Sequence, residues 1–104
     1  MPKGYWIARI TIHDPEGYKE YLALNAEPLA AHGARFLVRG GTSETVDGEA
    51  RDRNVVIEFP SYQAALDCMR SDGYQRALAV RRRYSTGDFV VVEGYDGPQP
   101  GGSA

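Results

Sequence analysis

The stretch Asn54-Val55-Val56-Ile57-Glu58-Phe59-Pro60-Ser61 runs a β-strand straight into a helix. Its apolar side chains are β-branched or aromatic, which suits a pleated, packed surface. Pro60 cannot donate to a strand ladder, and Ser61 is a good cap for the first free N–H groups of a helix. The strand therefore ends, and a helix opens, at Pro60-Ser61. Within the strand, Val55, Val56 and Ile57 are consecutive. A strand with one wet face alternates apolar and polar residues, so an unbroken apolar run predicts cover on both faces. Phe89-Val90-Val91-Val92 repeats the pattern near the end of the chain.

Upstream, Tyr5 to His13 is rich in aromatic and β-branched residues and reads as a first strand. Asp14-Pro15 then supplies a cap and a favoured first helical residue. Tyr18, Tyr21, Leu22, Asn25 and Leu29 recur at helical spacing. Pro28 lies inside that stripe and predicts a kink or an end near Glu27, with Gly33 as the C-terminal cap. Ala34 to Arg39 is a second strand, broken by Gly40-Gly41. The polar segment from Thr42 to Arg53, which contains Asp47-Gly48, joins it to the central stretch. Downstream, Ala64, Ala65, Leu66 and Met69 give a helix its buried side. Ser71-Asp72-Gly73 interrupts that helix and caps a second piece through Tyr84, in which Tyr74, Ala77, Leu78 and Arg81 share a face. Asp88 to Tyr95 is the last strand. The order βαββαβ predicts a ferredoxin-like α+β fold: a four-stranded antiparallel sheet with the helices on one face.

The chain has 104 residues, 42% hydrophobic and 25% charged, which is enough for one domain, expected over residues 1–95. Residues 96–104 are Gly- and Pro-rich with nothing bulky to bury, and are expected to be a disordered tail. The net charge of −2 argues against nucleic acid as a partner. So does the central strand, which lacks the basic residues and paired aromatics of RNA-binding sheets. No apolar run reaches the roughly 20 residues of a membrane span, and the N-terminus lacks the apolar core of a secretion signal. Cys68, the single cysteine, cannot close an internal disulfide, which fits a reducing cytoplasm. His13, His32 and Cys68 match no zinc spacing, and no metal or other cofactor is expected.

If the helices cover one face of the sheet, something else must cover the other. A second copy can, and the expectation is a homodimer joined through its sheet faces. Alternation assigns Ile10, Phe36, Val38, Ile57, Val90 and Val92 to the helix side. It assigns Arg9, Arg39, Glu58 and Glu93 to the opposite side. Charges buried there must pair, because an unpaired one costs roughly 3–5 kcal/mol. They either lock the subunits together or hold an anionic ligand through Arg39 or Arg9.

A set of motifs carries a resemblance: Asp14-Pro15-x-x-Tyr18-x-x-Tyr21, His32-Gly33, Arg39-Gly40-Gly41, Glu58-Phe59-Pro60-Ser61, Ser71-x-x-Tyr74, and Arg81. In this order and spacing the chain resembles, over residues 5–95, the domain-of-unknown-function family numbered thirteen-thirty. That family lies in the dimeric α+β barrel superfamily. The resemblance implies a ferredoxin-like protomer and a barrel-forming dimer. The superfamily spans cofactor-independent monooxygenases, lyases, isomerases, haem-degrading enzymes and proteins that only bind, so fold alone does not assign chemistry. Cys68 or Met69 stands where members commonly carry an aromatic residue.

The superfamily's cavity lies between sheet and helices. Tyr21, Tyr74, His13 and Arg81 are candidates to reach it, with Arg39 and Glu58 nearby if register allows. His13 at a strand end is either a general base near neutral pH or a solvated junction residue. His32 suits a helix C-terminus, where a cation is favoured. Tyr74 and Arg81, two turns apart, can hold an anion jointly. Cys68 reads as a buried, inert thiol. The sequence supports a cytoplasmic homodimer that binds a small organic anion, with or without turnover and without a metal. Its alternative is a non-catalytic dimeric module.

Overall fold

The computed structural model describes residues 2–102, so Met1, Ser103 and Ala104 lie outside the described residues, with the last two of the expected tail among them. The chain runs β1 (Gly4–Ile12), α1 (Pro15–Ala31), β2 (Arg35–Arg39), β3 (Arg53–Phe59), α2 (Tyr62–Arg70), α3 (Asp72–Tyr84) and β4 (Ser85–Glu93). The strands form one four-stranded sheet in the order β2-β3-β1-β4, antiparallel throughout. This is the ferredoxin-like α+β arrangement the element order predicts. Residues 96–102 belong to no helix or strand.

Local chemistry sets the element ends. The Asp14 carboxylate accepts from the backbone N–H groups of Glu16 and Gly17, opening α1. Ser61 caps α2 through Ala64 N–H, and Ser71 caps α3 through Tyr74 N–H. Gly33 takes a positive φ of 74° just past α1, where a side chain would be strained. Pro28 does not end the helix: α1 continues to Ala31. Its ring packs beside Gly73, and its carbonyl accepts from His32 Nδ1 at 2.8 Å and from the Cys68 thiol. Tertiary contacts offset the missing N–H. β4 also starts three residues before Asp88, directly off the end of α3.

The core lies between helices and sheet. Trp6, Ala8 and Ile10 from β1 meet Val55, Ile57 and Phe59 from β3, under Tyr18, Tyr21 and Leu29 of α1 and Tyr74, Ala77 and Leu78 of α3. The Trp6 indole N–H donates to the Ala65 carbonyl at 2.9 Å, pinning α2 to β1.

Register corrects several sequence assignments. Trp6 pairs with Val91 and Ala8 with Phe89, and paired residues share a face. Phe89 and Val91 therefore face the helices, while Val90 and Val92 face away, 52% and 39% exposed. In β2 an irregularity between Phe36 and Val38 shifts the ladder, so Val38 pairs with Val56 and Arg39 with Val55. Val38 thus joins the open face. Arg39 joins the helix side, its guanidinium 4.1 Å over the Phe36 ring. Glu93 pairs with Gly4 and also lies on the helix side. Arg9 and Glu58 lie on the open face as expected.

The open face then carries Val38, Val56, Ile7 and Val90 as adjacent partners across all four strands. Ile7 is 41% and Val38 42% exposed. This apolar row lies between a polar row of Arg35, Glu58 and Tyr5 and another of Asn54, Arg9 and Asp88.

Candidate functional site

On the helix side, α1 and α3 bring together side chains far apart in sequence. The hydroxyls of Tyr21 and Tyr74 are 2.7 Å apart, and Arg81 Nη1 donates to the Tyr74 oxygen at 3.0 Å. A guanidinium can only donate, so it leaves Tyr74 free to donate onward to Tyr21. The Arg81 carbon lies 3.6 Å above the centre of the Phe89 ring. Helical spacing explains the grouping: Tyr74 and Arg81 are on one face of α3, and Tyr21 is on the facing stripe of α1.

Burial governs the protonation of this group. It pushes the Tyr74 phenol well above its ordinary range, Tyr21 reinforces the shift, and the Arg81 charge partly opposes it. Burial pushes the Tyr18 phenol up to about 12, again against the pull of Arg53 and Arg81. Both phenols are neutral near pH 7 and keep their hydrogens for donation.

Arg81 is only 9% exposed. Among the described residues, the ion pairs join Lys19 to Glu16, Arg35 to Glu58 and Arg51 to Asp88; none involves Arg81. Its N–H groups other than the one on Tyr74 open into a cleft of about 550 Å³ between the α2–α3 layer and the edge strand β4. Met69 and Leu78 on the helix side and Ile10, Phe89 and Val91 on the sheet side give it apolar surface, and Arg82, Ser85, Thr86 and Asp88 give it a polar part. Beyond Ile10 and Phe89 is a chamber of about 20 Å³, walled in part by Tyr18, Tyr21, Asn25 and Arg53. That is room for about one water molecule. The Arg53 Nε there is buried without a hydrogen-bond partner.

Of the sequence candidates, the structure brings Tyr21, Tyr74 and Arg81 into one hydrogen-bonded group at the buried end of the cleft. Glu58 lies on the other face of the sheet, accepting from the Tyr5 hydroxyl at 3.2 Å and 4.0 Å from Arg35. Arg39 stacks on Phe36, near β2 and away from the cleft. His13 is exposed, its Nε2 2.6 Å from the Thr86 hydroxyl. Phe89 and Arg53 are the residues that sequence reasoning missed. Period-two spacing from Val55 and Ile57 back to Arg53 was the available signal for the second, whereas Phe89 is placed only by strand pairing. Cys68 is fully buried, and burial pushes its thiol up to about 12, so it is no nucleophile at neutral pH. Among the described residues no three His, Cys, Asp or Glu side chains converge as a metal site.

Fold and cleft together define a ferredoxin-like α+β protein with an arginine-based pocket between its layers. The chain belongs to the family described as Domain of unknown function (DUF1330), whose model matches residues 3–95. No curated protein matches it. Among solved structures it is similar to a protein of unknown function from Rhodopseudomonas palustris, with 15% identity, a TM-score of 0.72, and coverage of 92% of this chain and 85% of that one. It is also similar to SnoaB, a cofactor-independent oxygenase from Streptomyces nogalater, with 16% identity, a TM-score of 0.62, and coverage of 93% and 97%. A dimeric ferredoxin-like protein of unknown function from Thermobifida fusca matches with 17% identity, a TM-score of 0.58, and coverage of 88% and 89%. At these identities the likeness establishes the fold.

Proposed function

We propose that the protein binds a small organic anion in the cleft between α3 and β4, with Arg81 taking the negative charge. One observation carries the reading. Arg81 is a permanent cation, buried, with no carboxylate of the described chain within 4.0 Å, and its free donors face a cleft. An anion arriving from solvent supplies the counter-ion that no carboxylate of the described chain provides, through charge-assisted hydrogen bonds. The apolar part of the lining, Met69, Leu78, Ile10 and Val91, supplies affinity for the ligand's carbon body.

The chemistry of the buried end favours holding over proton abstraction. Neutral phenols donate, and the one histidine considered as a base is bound to Thr86 outside the group. Binding is therefore the function proposed. The SnoaB likeness adds a precedent for small-molecule chemistry without a cofactor on this fold.

The same reading makes the protein a homodimer. Val38, Val56, Ile7 and Val90 form an apolar row across the open face, and a second copy laid face to face covers it. The dimeric T. fusca neighbour supports this. Arg9 and Glu58 lie on that same open face, so in this reading strand charges serve assembly while Arg81 serves the ligand. The single cysteine, kept as a buried thiol, suits a cytoplasmic setting.

Titration calorimetry with a panel of carboxylates tests the reading. Wild type is expected to bind one or more of them. Charge-assisted hydrogen bonds contribute about 1.5–3 kcal/mol, so Arg81→Gln should weaken binding roughly 10- to 150-fold. Equal binding by wild type and a folded Arg81→Gln protein would remove the proposal.

A further inference from the structure

We infer that the cleft selects planar, conjugated acids, aromatic carboxylates above all, over saturated acids of the same size. The inference rests on the anion reading of Arg81 and deepens it. The guanidinium carbon stands 3.6 Å above the Phe89 ring centre. At that separation the flat cation lies parallel to the ring, because an edge-on approach would drive its N–H hydrogens into the π face. The plane of Arg81 is thus fixed by Phe89 on one side and by its bond to Tyr74 within the plane.

Three consequences follow for a ligand. A carboxylate prefers to meet a guanidinium edge to edge and coplanar, through two parallel N–H···O bonds. Nη1 is engaged by Tyr74, which leaves the Nε and Nη2 edge unclaimed by any side chain of the described chain. A carboxylate on that edge lies in the plane that Phe89 sets. In an aromatic acid the ring is coplanar with its carboxylate, so the ligand body extends as a sheet. In a saturated acid the ring is puckered and leaves that plane at its first carbon.

The cleft's shape accepts the sheet. Helix-borne Met69 and Leu78 face strand-borne Ile10 and Val91, so the space beyond Arg81 is a slot between two layers. Met69 adds a polarizable thioether, which favours an aromatic face over an aliphatic one.

Isosteric pairs of probes test this on the unmodified protein: benzoate against cyclohexanecarboxylate, and 2-naphthoate against its fully saturated decalin counterpart. Calorimetry or ligand-observed NMR gives the affinities. The expected result is at least 10-fold tighter binding of the aromatic acid in each pair. Phe89→Leu keeps an apolar wall but removes the flat ring beneath Arg81, and should bring that ratio below 3-fold. The saturated member of each pair is the more hydrophobic, so a merely greasy slot would favour it. Equal or tighter binding of the saturated acids overturns the planar inference and leaves the anion reading intact. Binding that survives Arg81→Gln, or no binding by any of the four acids, overturns both.

Discussion

Replacing Tyr74 by Phe removes one oxygen from the buried hydrogen-bonded group of Tyr21, Tyr74 and Arg81. Tyr74 is 0% exposed, and its oxygen serves both Arg81 Nη1 at 3.0 Å and the Tyr21 hydroxyl at 2.7 Å. A neutral hydrogen bond contributes about 1 kcal/mol net and one to a charged group about 1.5–3 kcal/mol, so losing both costs about 2.5–4 kcal/mol if nothing replaces them. Two features reduce this. The remaining donors of Arg81 open on the cleft, so water can reach the guanidinium. The Tyr21 side chain also lines the small chamber, where one water fits. The expected loss is about 2 kcal/mol for Tyr74→Phe. Tyr21→Phe deletes only the neutral bond and should cost about 1 kcal/mol. The double variant should cost about 1 kcal/mol less than the sum, because the shared bond is removed once. Urea unfolding at fixed protomer concentration measures all four proteins. With a slope of about 2 kcal/mol/M, Tyr74→Phe moves the midpoint by about 1 M. A midpoint within about 0.2 M of wild type, or strictly additive costs, would refute the hydrogen-bonded trio.

Three other outcomes are expected. Ile7→Lys puts a charge in the middle of the open-face row at a site 41% exposed in the protomer, so folding should change little. Burying that charge against a second copy costs about 3 kcal/mol or more, and sedimentation should show dimer dissociation strengthened at least 100-fold. Stability should fall at alkaline pH. Tyr18 rises from 10.0 to about 12 on folding and Cys68 from 9.0 to about 12. The stabilisation from keeping these groups neutral is complete below the unfolded values and is lost as pH climbs from about 9 to 12, a trend urea midpoints across that range will reveal. Cys68, fully buried, should alkylate with iodoacetamide at pH 8 only as fast as the protein opens; immediate stoichiometric labelling of the folded chain contradicts its placement.

The element order was legible because its signals are local. Asp14-Pro15, Ser61 and Ser71 cap helices through their own neighbours, and each cap holds in the structure. Facing was legible only where polar residues set the phase. In β1, Arg9 marks the outer face and Trp6, Ala8 and Ile10 fall inward. In β4 the run Phe89-Val90-Val91-Val92 has no polar residue to set its phase, and only pairing with Trp6 and Ala8 decides it. The β2 irregularity between Phe36 and Val38 is likewise a property of two strands together, so Val38 and Arg39 could not be assigned from one. The site divides the same way. Tyr74 and Arg81 share a helix face by spacing, and Tyr21 belongs to the opposing stripe. Arg39 and Glu58 depended on register, which sets Arg39 over Phe36 and Glu58 on the open face, and His13 lies past the end of β1 against Thr86.

If the proposed dimer and the proposed ligand site both form, the two faces of β4 connect them. β4 is an edge strand with β1 as its one neighbour in the sheet. Its alternate residues point two ways: Val90 and Val92 lie on the open face that the proposed dimer would bury, while Phe89 and Val91 form the cleft wall against which Arg81 is stacked. A partner packed on Val90 and Val92 restrains the strand from outside and so steadies Phe89 from behind. Ligand bound between Arg81 and Val91 restrains the same strand from within. Coupling of this kind is reciprocal, so a ligand that tightens the dimer must bind the dimer more tightly by the same factor. A coupling of about 1 kcal/mol, roughly 5-fold, is expected. Sedimentation of wild type with and without saturating 2-naphthoate should show the dimer constant shift by that factor. Calorimetry on monomeric Ile7→Lys should show the matching loss of affinity. A ligand that binds well yet leaves the dimer constant unchanged would show that the two faces of β4 act independently.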